Sequence, residues 1–331
     1  MLIHHEKFNY QSKLSLIIGE NGSGKSKLLA NIADSYISRN KPVIAIANCL
    51  YDKFRENGKQ YSFIGGRYGQ DFIEIALAET IKTAKIKNKS KFRIGGVLDY
   101  LGYLESIGIS SKENRSTIDW IDFSSSYIST KVEKIEINLS KKSPHKELNL
   151  FLKKNSGETI SVEDASSGEI QLLASLAFIG SKIENGSAII IDEPENSLHP
   201  RWQRGYINRI FDLFSYFDIS LIIATHSPMI ISGIESAGVD AKIYKINNKK
   251  LESLSLEDRN LEYLMWDAFR IITPESPFLS RHIADLLNEH ANGKLSYEAL
   301  EKEFELLKMA TTDEKQKTLI ERSKSLTNRN L

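Results

Sequence analysis

Lys13-Leu-Ser-Leu-Ile-Ile-Gly-Glu-Asn-Gly-Ser-Gly-Lys-Ser26 is the stretch that decides the fold. Its first part, Lys13 to Ile18, is a short apolar run with the length of a buried strand, and Gly19 to Ser26 then matches G-x-x-x-x-G-K-[ST]. Helical periodicity follows from about Lys25 to Ser38. A strand, a glycine-rich turn and a helix in that order form a phosphate-binding loop. Gly19, Gly22 and Gly24 let the backbone curl so that its N–H groups point at phosphate oxygens, and the helix N-terminus adds partial positive charge. Lys25 would reach the β- and γ-phosphates and the Ser26 hydroxyl would ligate magnesium. Asn21, Ser23 and Lys27, inside or beside the loop, complete the expected nucleotide-binding set.

Outward from this loop, short apolar runs alternate with helical stretches. Strands are predicted at Pro42–Ala47, Ser187–Ile191, Ile219–Ala224 and Ala241–Ile246, which implies a mostly parallel α/β sheet. Between them the texture loosens: a helix is predicted over Gln70–Ala84, irregular chain near Gly95-Gly96, and a strand in the alternating Lys131–Leu139. The organisation expected is a split head, residues 1–50 and 160–250, an inserted α/β lobe, 51–159, and a helical C-terminal region, 251–331. In the last of these, Leu286, Leu287, Leu295, Leu300, Phe304, Leu306, Leu307 and Leu319 recur among charges, as in helices that share a core.

Composition narrows the function classes. With 331 residues the chain has room for roughly two domains, and 41% hydrophobic with 26% charged residues is ordinary globular composition. Lys+Arg 44 against Asp+Glu 43 leaves a net charge of +1, so nucleic acid or membrane binding would need a local patch. The single cysteine, Cys49, excludes an intramolecular disulfide and a cysteine zinc site. No run approaches the ~18 apolar residues of a membrane span, and Met1 to Lys7 has no signal core, so the expected location is cytoplasmic.

Three further motifs carry chemistry. Ala188-Ile-Ile-Ile-Asp-Glu193 is an apolar strand ending in two carboxylates: Asp192 is the expected magnesium partner and Glu193 the general base that activates water. Ala165-Ser-Ser-Gly-Glu169 opens a helix, and Ser166, Ser167, Gly168 and Glu169 there make either a helix cap or an anion site. Ile222-Ile-Ala-Thr-His-Ser-Pro228 sets His226 just past a buried strand, where ligands of open α/β sheets bind.

In this order the motifs resemble those of the ABC-type ATPases, and more narrowly the soluble branch of SMC, RecF and OLD-like ATPases. The resemblance implies ATP and Mg2+ as ligands. It implies a head-to-head homodimer in which Ser166 and Gly168 contact the γ-phosphate held by the partner's P-loop. It makes His226 the switch histidine, and Glu195 to Pro200 similar to the loop that crosses the dimer interface. A γ-phosphate-sensing glutamine should precede the lobe, with Gln60 and Gln70 as candidates, and Tyr10 or Phe8 could stack on adenine. A transporter subunit fits less well, because a long lobe interrupts the head and no span is present. A self-contained nuclease is also disfavoured, because no Asp-x-Asp pair follows His226.

Lobe and short helical tail together look like the ATPase subunits of Septu and retron-linked anti-phage systems, which implies a separate effector, an HNH nuclease. The stretch Ile81 to Arg93, with six basic residues and no acidic one, is either a DNA contact or a solvated loop. The leading expectation is therefore a Mg2+-dependent ATP hydrolase that dimerises on nucleotide and senses DNA or controls an effector. The alternative is a nucleotide-gated DNA clamp in repair.

Overall fold

The computed structural model describes residues 7–86, 88–111, 117–124, 148–196, 198–247, 250–254, 277–311 and 314–327, with Trp266 and Ile272 in addition. They fall into two compact units, Met1–Glu252 and Ser253–Leu331.

A seven-stranded sheet organises the first unit. Its strands are β1 (Leu14–Ile18), β2 (Val43–Ala47), β3 (Tyr61–Gly65), β8 (Ala188–Asp192), β9 (Ser220–Thr225), β10 (Ala241–Asn247) and β11 (Lys250–Leu254). They lie in the order β11-β10-β1-β9-β8-β2-β3. Every pair from β10 to β3 is parallel. Strands covered on both faces need apolar residues at successive positions, and β1, β2 and β8 are buried throughout. Helix α1 (Lys25–Ser38) starts where the sequence places it and packs Leu28, Leu29, Ile32, Ala33 and Tyr36 on Ile17, Ala45, Ile190 and Ile222.

Register, more than composition, positions the site. Ile18 lies opposite Thr225, Asp192 opposite both Ala224 and Ala47, and Ala47 opposite Gly65. The loops leaving β1, β2, β3, β8 and β9 therefore emerge along one edge, the carboxyl edge of the sheet. Two short helices, α5 (Pro200–Arg204) and α6 (Tyr206–Leu213), follow β8, and α7 (Pro228–Ser232) and α8 (Ile234–Ala237) follow β9.

The sheet reaches into sequence assigned above to the lobe, because Tyr61–Gly65 pairs with β2. Beyond it come α2 (Phe72–Ile86), α3 (Asn88–Tyr100) and an antiparallel sheet in the order β5-β4-β6-β7. Its strands are β4 (Tyr103–Ser111), β5 (Asp119–Asp122), β6 (Leu148–Lys154) and β7 (Thr159–Ser161). The predicted strand Lys131–Leu139 lies outside the described residues.

The stretch around Gly95-Gly96, expected to be irregular, is helix. Ile94, Val97, Leu98 and Leu101 are buried at helical spacing, and that burial outweighs the ~1 kcal/mol each glycine costs in a helix. Gly95 also permits a close approach: a Cβ there would stand 2.6 Å from Glu105 Oε2 and 3.3 Å from the Phe123 carbonyl.

Helix α4 (Ser167–Lys182) is apolar nearly all round and correspondingly buried. It packs on α2 and α3. Lys182 Nζ donates to Thr83 Oγ1 at 2.9 Å and stands 3.3 Å from Glu79, while Arg93 Nη1 donates to the Ile183 carbonyl at 2.6 Å. The lobe helices are thus tied to the helix that the Ala165–Glu169 motif opens.

The second unit contains α9 (Pro277–Ala291), α10 (Tyr297–Ala310) and α11 (Glu314–Thr327), with Trp266, Phe278, Ile283, Phe304, Leu307 and Ile320 among its core residues. Ser296 caps α10 by accepting from Ala299 N–H.

Candidate nucleotide site

The loop between β1 and α1 has the backbone that its glycines allow. Gly22 and Gly24 take φ of 80° and 99°, in the left-handed region where a side chain is strained. At Gly19 a Cβ would come 2.9 Å from Ser23 Oγ. Lys25 is only 4% exposed, and its Nζ donates to the carbonyls of Gly19 at 2.9 Å and Glu20 at 3.1 Å. The ammonium is thereby folded over the loop whose N–H groups would take phosphate.

One strand away, β8 delivers Asp192 to the same edge. Its carboxylate is fully buried and accepts from the Ser26 hydroxyl, with Cys49 Sγ 3.7 Å from Oδ2. The other oxygen, Oδ1, has no hydrogen-bond partner. Burial raises the Asp192 pKa to about 6; the Glu193 charge adds to this, while Ser26, Cys49 and Lys25 oppose it. An orphaned buried carboxylate oxygen beside a hydroxyl suits a hard divalent cation, and Mg2+ takes one or two carboxylates with the remainder from phosphate and water. Among the described residues no group of three His, Cys, Asp or Glu could hold a metal by itself.

The shifted Asp192 gives a pH dependence with a definite sign. Below about 6 the carboxyl is protonated and cannot hold the cation, so Mg2+-dependent binding of a fluorescent ATP analogue should weaken between pH 7 and pH 5. Asp192→Asn should bind weakly at both pH values and lose most of the difference. An unchanged pH profile in that variant would remove Asp192 from the metal.

Glu193 leaves the strand with φ of 51°, a left-handed conformation that costs a non-glycine residue about 1–3 kcal/mol. The backbone is held there by Glu193 N–H donating to the Ala224 carbonyl at 2.9 Å. Asn196 Nδ2 donates to Glu193 Oε2 and to the Asn48 carbonyl, both at 3.1 Å. Glu193 Oε1 lies 3.7 Å from His226 Nδ1. Glu193 and His226 therefore face each other across the ends of two adjacent strands.

Ser166 is the N-cap residue of α4, yet its side chain makes no capping hydrogen bond, so the helix-cap reading has no support. Ser166 and Ser167 are exposed, Gly168 is buried, and Glu169 accepts from Tyr103 Oη at 2.9 Å.

Several sequence candidates occupy other places. Gln60 belongs to the amino edge, since Val43 N–H bonds its carbonyl and its amide bonds Asn40 at 2.8 Å. Gln70 instead lies in the 3-10 turn Gly66–Asp71 that leaves β3 at the carboxyl edge. Phe8 is buried between Tyr10 and Tyr244, with ring centroids 4.9 and 5.2 Å away. Tyr10 has the Arg39 guanidinium 3.5 Å from its ring centre. Both aromatics pack against other rings or a guanidinium within the fold.

Of the basic stretch, the described side chains Lys82, Lys91 and Arg93 are engaged in different ways. Lys91 is buried, Arg93 bonds the Ile183 carbonyl, and Lys82 lies 3.7 Å from Glu79. The solvated-loop reading is also replaced, by the ends of α2 and α3. Glu195, which the sequence reading placed only at the start of the stretch resembling a dimer-interface loop, has a further place here. It is buried, and its Oε1 accepts from Thr225 Oγ1 at 2.8 Å and from His226 N–H at 2.7 Å. Nothing in its sequence neighbourhood reports that burial, because its partners come from a strand about thirty residues later.

P-loop, parallel sheet, strand-end Asp-Glu and following histidine together make an α/β nucleotide-binding head that resembles those of the ABC-type ATPases. Comparison with known proteins narrows this. The family model "AAA domain, putative AbiEii toxin, Type IV TA system" matches residues 126–232. The "Retron Vc95 probable ATPase" of Vibrio cholerae serotype O1 biovar El Tor is 26% identical over 225 residues, 64% of this chain and 42% of that protein. The "Retron Ec83 probable ATPase" of Escherichia coli is 31% identical over 103 residues, 28% of this chain and 18% of that protein. The chain spans less than half the length of these curated relatives. Among solved structures, cbiO1 from Clostridium perfringens, part of an ABC transporter complex, aligns at TM-score 0.38 and 11% identity over 72% of this chain and 75% of that one. The chain is thus similar, over part of its length, to two probable ATPases of retrons.

Proposed function

We propose that this chain binds and hydrolyses ATP with Mg2+, dimerises through its heads when nucleotide is bound, and controls a separate effector in anti-phage defence. The observation that carries the hydrolytic reading is the gathering of Lys25, Ser26, Asp192, Glu193 and His226 on one sheet edge. The loop amides and Lys25 would hold the β- and γ-phosphates, and of the two candidate glutamines Gln70, on the turn that leaves β3 at the carboxyl edge, would sense them. Magnesium, held by Ser26 and Asp192, would supply charge neutralisation of the phosphates. Glu193 would take the proton of the attacking water and His226 would bind beside the γ-phosphate.

Exposed serines with no capping bond at the start of α4 support a contact made in trans, by Ser166 and Gly168 of one head with the nucleotide of the other. The effector role comes from the sequence resemblance to Septu and retron-linked ATPase subunits, which implies an HNH nuclease as partner, and the similarity to two retron probable ATPases supports that reading. No helix among the described residues is long and apolar enough to cross a membrane. A DNA clamp is the second reading, but the inward Lys91 and Arg93 leave it less to work with.

Mixing two inactive variants tests the dimer and its chemistry together. Ser166→Arg should block the partner's site and Lys25→Met its own, so each alone should be inactive. An equal mixture should regain about a quarter of wild-type phosphate release, because one composite site in four is intact. No recovery on mixing, with both variants folded, would exclude the trans arrangement.

A further inference from the structure

Glu195 is a buried carboxylate with no part in the reading above, on the loop between β8 and α5. A single oxygen, Oε1, accepts from the Thr225 hydroxyl and the His226 N–H and stands 3.1 Å from His226 Nδ1. That last pair is close but off the line of a hydrogen bond, so it is a side-chain contact between the carboxylate and the imidazole. Oε2 is buried without a hydrogen-bond partner.

The surrounding polar groups extend the same link. Ser227 N–H donates to Thr225 Oγ1 at 2.9 Å, and Ser227 Oγ donates to Gln203 Oε1 at 2.6 Å. Gln203 Nε2 returns to the Leu198 carbonyl at 2.8 Å, on the loop that carries Glu195. The loop after β8 and the loop after β9 are thereby closed into one unit, with Glu195 at its centre.

We infer that Glu195 is a positioning residue for His226: its carboxylate fixes the backbone of the Thr225–Ser227 loop and holds Nδ1 of the imidazole on the protein side, leaving Nε2 for the nucleotide. Geometry favours this over simple bracing. Oε1 holds the loop through the Thr225 hydroxyl and the His226 N–H, and the same oxygen faces the ring of that histidine at 3.1 Å. A glutamine would accept the same two hydrogen bonds. What the carboxylate adds to bracing is therefore its contact with the imidazole of His226.

This inference rests on the ATPase reading, and Glu195→Gln separates the two. The amide oxygen preserves both backbone-fixing hydrogen bonds, so a merely structural role predicts unchanged turnover. A positioning role predicts kcat lower by roughly tenfold or more, with ATP affinity and melting temperature close to wild type. In the His226→Ala background the same substitution should cost nothing further, since the group it acts through is gone. Unchanged kcat in Glu195→Gln, an equal loss in both backgrounds, or no effect of His226→Ala itself would each overturn the inference. A wild-type protein without ATP hydrolysis would instead refute the site reading on which it stands.

Discussion

Glu193→Gln should bind Mg2+-ATP with near wild-type affinity while releasing phosphate about 10²–10⁴-fold more slowly, the usual span for loss of a general base. The expectation follows from the geometry around the side chain. Oε2 is steadied by Asn196 and Oε1 faces His226, so the carboxylate is oriented and is not a free strand-end charge. An amide keeps the shape and the Asn196 contact but cannot take a proton from water. The backbone supports the assignment: a left-handed conformation at a residue other than glycine persists only where the surroundings enforce it, and such strain gathers at functional sites. Phosphate release by the purified variant, beside equilibrium binding of a fluorescent ATP analogue, gives both numbers. Wild-type turnover would take Glu193 out of the reaction.

Lys25→Met should have the other large effect, at an earlier step. Its ammonium is the buried cation of the loop, held by the Gly19 and Glu20 carbonyls and close enough to Asp192 to oppose the rise in its pKa. Removing it takes away both a phosphate ligand and part of the charge balance beside a buried acid. ATP affinity should fall by roughly tenfold or more, for a lost charge-assisted bond of about 1.5–3 kcal/mol, and hydrolysis should become undetectable. Isothermal titration with Mg2+-ATP reads the first quantity. Unaltered affinity would mean that the cradle does not bind phosphate.

Much of this site was legible before any coordinates because its motifs are local. A strand, a glycine turn and a helix within one short run constrain one another, and α1 begins at Lys25 as the motif demands. The strand-end pair Asp192-Glu193 and the post-strand His226 were equally readable, since burial of β8 and β9 on both faces writes uninterrupted apolar runs into the sequence. What stayed hidden depends on register and on distant partners. Gln60 and Gln70 look alike in sequence, and the pairing of Val43 with Tyr61 is what sends one to the amino edge while the other follows β3 at the carboxyl edge. Lys91 and Arg93 read as part of a basic run, but helix α3 turns both inward toward partners that a linear pattern does not contain. Gly95-Gly96 suggested irregular chain because glycine's helical cost is visible locally and the burial that offsets it is not. Glu195 is the sharpest case: two of its hydrogen bonds come from Thr225 and His226, and only the fold brings that strand end beside it.

The central claim is that nucleotide drives two heads together, and the most direct test is light scattering on a sizing column with Glu193→Gln, with and without Mg2+-ATP. The account predicts a 37.5 kDa chain that shifts to about 75 kDa only when nucleotide and metal are both present, and that fails to shift when Ser166→Arg is added. A species of unchanged mass under conditions where ATP binding is verified would contradict it.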